Sequence, residues 1–154
     1  MFDLFKRRKG RGARRRATPS MFAEFLEYFG EAPVLEDGAA DPYDAFIDGL
    51  GGRSFGDGVF RVFERSDLEG WHRVVSGCFT KLRSEFNLIG YDWMGRCFAV
   101  DQRDGDGKEL VVLLEIATLD MYYIGKDVAV FLNEVMPNQS EACLGVGRYR
   151  EWLE

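Results

Sequence analysis

Three stretches in the second half of the chain repeat with the period of a pleated strand, and they restrict the fold more than any other feature. Phe86 to Trp93, Arg96 to Gln102 and Glu109 to Ala117 are built from aromatic, β-branched and aliphatic residues bounded by turn-forming ones. The last two are separated only by Arg103-Asp104-Gly105-Asp106-Gly107-Lys108, a glycine-aspartate hairpin signal. The three segments therefore predict an antiparallel meander. An earlier strand is expected over Gly58 to Glu64, entered through Gly56-Asp57-Gly58, and a short later one near Met121 to Ile124.

Helical periodicity flanks the strands. Leu68, Trp71, Val74, Val75, Cys78, Phe79 and Leu82 recur at intervals of three and four, and Ser66 with Glu69 has the spacing of a capping box, so a helix is expected over about 67–84. Asp127 precedes Val128, Phe131, Leu132 and Val135, which predicts a second helix over 127–136, stopped by Pro137. A short helix is expected over Phe22 to Phe29, with Thr18 as its cap, Pro19 at its first position and Gly30 at its end. Residues 31–57 predict a long loop with one helical turn near 42–48. Gly145 and Gly147 interrupt a weakly helical tail. The sum is an α+β fold, an antiparallel sheet packed against at least the 67–84 and 127–136 helices. At 154 residues the chain has the length of one domain with a core of its own.

Charge is divided unevenly. The first 16 residues hold eight Lys/Arg against Asp3 alone, a net of +7, which leaves −13 for the remainder of a chain whose formal total is −6. Residues 1–17 are expected to be a solvated, disordered basic tail, with nucleic acid a weak alternative partner for residues 6–16. The acidic body, 18–154, disfavours nucleic acid and favours a basic partner. The absence of an 18-residue apolar run argues against a membrane span, and Cys78, Cys97 and Cys143, widely spaced with no histidine nearby, suggest reduced cytoplasmic thiols rather than a disulfide framework or a zinc site.

Catalytic signals are weak. His72 is the only histidine, has no nucleophile placed beside it and falls off the apolar stripe, which predicts an exposed helix residue. Asp101, Asp104, Asp106 and Glu109 lack the order of a calcium loop and are expected to form a solvated turn. Gly51 to Gly58 contains no phosphate-loop sequence. No cofactor, metal or enzymatic activity is expected.

Gly90-Tyr91-Asp92-Trp93-Met94-Gly95-Arg96 concentrates aromatic and charged residues at the end of a strand. Gly95 can take a positive φ, and Arg96 can fold back onto Asp92 as a latch that fixes the turn. In the other reading Tyr91, Trp93 and Arg96 are interface anchors, residue types common at hot spots.

The order of Gly56-Asp57-Gly58-Val59-Phe60-Arg61-Val62-Phe63, Trp71, the 90–101 segment, Glu115 and Phe131 to Met136 resembles bacterial immunity-type proteins with a GAD-like N-terminal part and a C-terminal domain of the type VI secretion DNase-immunity kind. The resemblance spans about residues 50–136. Its sharpest part is 91–96, with Met94 where leucine is commoner, while the part before Gly49 is short and the basic tail is additional. It implies a cytosolic α+β protein that neutralises a secreted toxin, often a nuclease, by direct contact. The expected contact residues are Tyr91, Asp92, Trp93, Arg96, Asp104 and Asp106. The alternative is a regulatory domain that binds a small molecule or nucleotide while its tail touches nucleic acid.

Overall fold

A computed structural model describes residues 21–32, 41–103 and 109–154. The expected N-terminal signals, Thr18, Pro19 and the basic residues, lie outside the described residues, as do Asp104 and Asp106. In chain order the elements are α1 (Ala23–Tyr28), α2 (Pro42–Leu50), β1 (Ser54–Phe55), β2 (Phe60–Val62), α3 (Leu68–Cys78), β3 (Phe86–Asp92), β4 (Cys97–Asp101), β5 (Leu110–Glu115) and β6 (Asp120–Gly125). Then follow α4 (Val128–Val130), a π-helical turn (Phe131–Val135), α5 (Met136–Asn138), α6 (Ser140–Leu144) and α7 (Val146–Leu153).

All six strands pair antiparallel in sequence order, β1-β2-β3-β4-β5-β6. The expected meander is its centre. Every residue of β4 is buried, and in β5 Val111 to Leu114 are too, because both faces of the sheet are covered. Alternation then sorts side chains between two cores rather than between core and water. Phe98, Val100, Val111 and Leu113 face a large core shared with α1, α2 and the C-terminal helices, while Cys97, Ala99, Val112 and Leu114 face a smaller one under α3. Phe25 is fully buried in the larger core and meets Phe46 and Phe55 edge to face, pairings that contribute about 0.5–1.5 kcal/mol each beyond their buried area.

Gly90 has a packing reason. A Cβ there would lie 2.4 Å from the Arg61 carbonyl oxygen and 2.7 Å from the Phe60 ring, so only glycine lets β3 pass so close to β2.

Several helical expectations need correction. The region 41–57 is more regular than a loop, since Asp41 accepts hydrogen bonds from the Tyr43 and Asp44 N–H groups and starts a nine-residue helix, and β1 follows. No capping box forms at α3. Asp67 occupies the cap position without a side-chain cap bond, and Ser66 Oγ turns to Asp67 Oδ1 instead. The helix ends at Cys78, and a separate 3-10 turn, Thr80–Leu82, covers the rest of the expected span.

Its inward stripe is Leu68, His72, Val75 and Phe79. His72 is half-buried, stacked on Phe86 with ring centroids 4.4 Å apart and its Nε2 3.2 Å from the Ser84 carbonyl oxygen, rather than exposed. Pro137 does not stop the second helix either. The π turn widens it one residue earlier, with the Met136 N–H bonding the Phe131 carbonyl, and the helix continues to Asn138. Within that turn Asn133 holds α1, accepting from the Phe25 N–H and donating to the Met21 carbonyl at 2.7 Å.

Candidate functional site

The 91–96 segment forms the β3–β4 turn, and the latch is its organising contact. Gly95 adopts φ 78°, and its N–H bonds the Asp92 carbonyl at 2.9 Å. This brings the chain back so that Asp92 Oδ1 accepts from the N–H groups of Met94 and Arg96, both at 3.0 Å. Asp92 Oδ2 takes the Arg96 guanidinium through Nε at 2.7 Å and Nη2 at 2.6 Å. Burial pushes the Asp92 carboxyl above its ordinary value, while the Arg96 hydrogen bonds, its charge and the backbone N–H groups pull the other way.

The same turn reaches the C-terminal helices. Arg96 Nη2 donates to the Cys143 carbonyl at 3.0 Å, and Trp93 Nε1 donates to the Leu144 carbonyl at 2.9 Å. These are the last two carbonyls of α6, which have no partner further along their own helix. The motif is thus a C-terminal cap assembled from another part of the chain. Trp93 continues into an aromatic column with Tyr149, 5.4 Å away, and Trp152, 6.1 Å away.

These contacts define the motif residues. Asp92 is 2% exposed and wholly engaged inside the protein, whereas Tyr91, Trp93 and Arg96 are half-buried. Met94 within the turn and Trp152 beside Trp93 are exposed, the latter 68%. Sequence reasoning assigned neither of these a site role. Trp152 is distant in sequence from the motif, and only the α6–α7 fold-back brings it there.

The other end of β4 differs from expectation. Asp101 is not a solvated turn residue but a buried one, held by the Arg103 N–H, Nε and Nη2 and by the Tyr123 hydroxyl. Hydrogen bonds from Arg103 hold its carboxyl below the ordinary value. Asp101 pairs with Leu110 at this second end of β4, remote from the 91–96 motif. Of the expected contact residues, Tyr91, Asp92, Trp93 and Arg96 lie together at the β3–β4 turn, and Asp104 and Asp106 lie outside the described residues.

A cleft of about 580 Å³ opens at that second end. Its walls are the start of α2, the start of α3 and the first residues of β3, beyond the point where β2 stops pairing at Val62↔Gly90. Asp41, Asp44, Glu69 and Glu109 line it, together with the amide side chains of Asn87 and Gln102. Among the described residues its one lining Arg or Lys, Arg65, is bound by Asp44 at 2.8 Å and also by Asp48. The Tyr43 hydroxyl donates to the Leu88 carbonyl at 2.9 Å and is pushed up to about 12 by burial, so it is a positioning group and not a base. No local motif marks this cleft, because its carboxylates come from separate segments; the net charge of the body was their only sequence signal.

Among the described residues no three His, Cys, Asp or Glu side chains are grouped to hold a metal ion, and no helix is long and apolar enough to cross a membrane. The architecture is that of an α+β protein with a six-stranded antiparallel sheet. Comparison with protein-family models, curated proteins and solved structures finds no match to the chain.

Proposed function

We propose that this chain is a non-enzymatic binding protein that neutralises a basic secreted toxin, of the nuclease kind, by direct contact in the cytoplasm. The observation that carries the reading is the cleft at the second end of β4, where Asp41, Glu69 and Glu109 add negative charge to a recess whose Arg65 is already neutralised by Asp44 and Asp48. Such a surface attracts Lys and Arg side chains and repels phosphate. The −13 body extends that attraction beyond contact range, raising the encounter rate with a cationic domain. The immunity-type resemblance of residues 50–136 points the same way. In this reading the 91–96 segment gives the protein its shape, and Asp104 and Asp106, which fall between the cleft residues Gln102 and Glu109 in sequence, are assigned to the same contact.

A nucleotide-binding regulator fits less well, because the cleft presents carboxylates where phosphate would need cations. The test is co-expression of the full chain with basic toxin domains encoded beside it, followed by affinity capture. The expected outcome is rescue of growth and a stable complex. Glu69→Lys with Glu109→Lys should weaken that complex by about tenfold or more, mainly through slower association at low salt. Absence of rescue, or an affinity indifferent to both reversals, would remove this reading.

A further inference from the structure

A pocket of about 250 Å³ opens between the end of α1, the 56–58 turn that leads into β2, and α7. It belongs to the motif end of the sheet, where Phe60 pairs with Asp92, and not to the end that holds the acidic cleft. Three of its walls are fixed from behind. The Phe29 ring meets Phe25 and Phe55 at centroid distances of 5.1 and 5.5 Å, Tyr149 is buried beside Trp93, and the Val59 carbonyl accepts the Trp93 N–H at 3.1 Å. Leu153, 54% exposed, adds to the apolar lining.

Two charged groups share this lining. Among the described residues Asp57 is its one carboxylate and Arg150 its one Arg or Lys. No ion pair joins them, and among the described residues neither has a partner of opposite charge elsewhere, although six other arginines each hold a carboxylate. Arg61, which comes close to Gly58, leaves Asp57 unpaired as well. Asp57 is also held in an uncommon conformation. It has φ 58° and ψ 22°, the left-handed region that a residue with a Cβ enters at a cost, and the Tyr149 hydroxyl donates to its carbonyl and keeps it there. The side chain that secures the turn is the one that walls the pocket.

We propose that this pocket binds a free α-amino acid with an apolar or aromatic side chain, its ammonium on Asp57, its carboxylate on Arg150 and its side chain against Phe29, Val59 and Tyr149. Opposite charges that face one apolar recess without neutralising each other suit a ligand that carries both charges itself. In an α-amino acid a single carbon joins the two, so the molecule bridges an acid and a guanidinium that form no pair of their own. Each end makes a charge-assisted hydrogen bond, and the guanidinium fork matches both carboxylate oxygens. The volume agrees with this class, since it lies below the about 300 Å³ at which sites for drug-sized ligands begin. An amine or an acid of the same shape leaves one protein charge covered and unpaired, so recognition favours the zwitterion.

Titration of the full chain with L-phenylalanine and with L-leucine, followed by backbone amide NMR, tests the site. Saturable shifts are expected at Asp57, Gly58, Tyr149 and Arg150, with a Kd of about 1 mM or tighter for at least one of the two. Phenethylamine and 3-phenylpropionate, which keep the ring and one charge each, should bind about tenfold more weakly or worse. Asp57→Asn keeps a residue type tolerated at positive φ, and Arg150→Met keeps an apolar stem. Each should lose about tenfold or more in affinity at an unchanged melting temperature, because both side chains are exposed and unpaired in the free chain. Absence of saturable shifts with both amino acids, equal binding of either one-charge analogue, or full affinity in either variant would each overturn the proposal. No toxin and no residue of the acidic cleft enters these measurements, so this site and the proposed function fail separately.

Discussion

Strand β4 has an aspartate–arginine pair at each end, and the two pairs do different work. At its start, Asp92 and Arg96 have side chains 0% and 13% exposed, and the guanidinium also bonds a carbonyl 47 residues further along the chain. At its end, Asp101 and Arg103 are 8% and 21% exposed and only two residues apart, with Tyr123 and the Lys81 carbonyl as their outside partners. The first pair joins a hairpin to the C-terminal helices; the second fastens the outgoing strand to its surroundings before the hairpin loop. Solvent separates them further. Burial raises the Asp92 carboxyl in spite of its arginine, whereas Arg103 lowers Asp101. The same two residue types thus give opposite titration shifts, decided by how completely water is removed.

The largest effect is expected from Arg96→Ala. Removing the cation leaves the buried Asp92 carboxylate with only two backbone donors and deprives the Cys143 carbonyl of its partner, a change that costs about 3–5 kcal/mol. Chemical denaturation at neutral pH measures it. Because burial already raises Asp92, the variant can relieve part of the loss by taking up a proton, so its deficit against wild type should shrink as pH falls. A deficit no larger than that of Arg103→Ala would remove the distinction between the two ends.

Arg103→Ala should cost less, about 1–2 kcal/mol, since Asp101 keeps the Tyr123 hydroxyl and stands closer to water. Its pH dependence has a definite sign. Asp101 is held below its ordinary value in the folded chain, so its contribution is complete above the unfolded value of about 3.9 and is lost as pH falls through the folded value. The stability gap between wild type and Arg103→Ala should therefore close in acid. Carboxyl titration followed by NMR should place Asp92 above the ordinary range and Asp101 below it.

The sequence showed some of this fold and hid the rest, for physical reasons. The meander was legible because strand periodicity and the 103–108 turn signal are local. The Asp92–Arg96 latch was legible for the same reason: four residues and a glycine suffice to close it. The phase of α3 was not. Seven apolar positions at three and four spacing make a face wider than the sheet covers, and nothing local says whether Trp71 or His72 turns inward. The length of α2 was also missed, although Asp41-Pro42 is a helix-start signal, because Gly49, Gly51 and Gly52 made the surroundings look irregular. The cleft was invisible, since α2, α3 and the approach to β5 contribute its carboxylates separately.

The smallest effect sharpens the comparison most, because it separates the helix cap from the ion pair. Trp93→Phe keeps a ring in the column with Tyr149 and Trp152 but removes the Nε1–H that the Leu144 carbonyl accepts. One neutral hydrogen bond to an exposed-side helix end is involved, so the expected loss is about 1 kcal/mol. Its position matters more than its size. Hydrogen exchange should rise in α6 and α7, Ser140–Leu153, and stay unchanged in β3 to β5, where the latch and the ladder are intact. Arg103→Ala should leave the C-terminal helices protected. Faster exchange confined to the strands in Trp93→Phe would mean that the tryptophan supports the hairpin itself, and the motif would then no longer be a cap for α6.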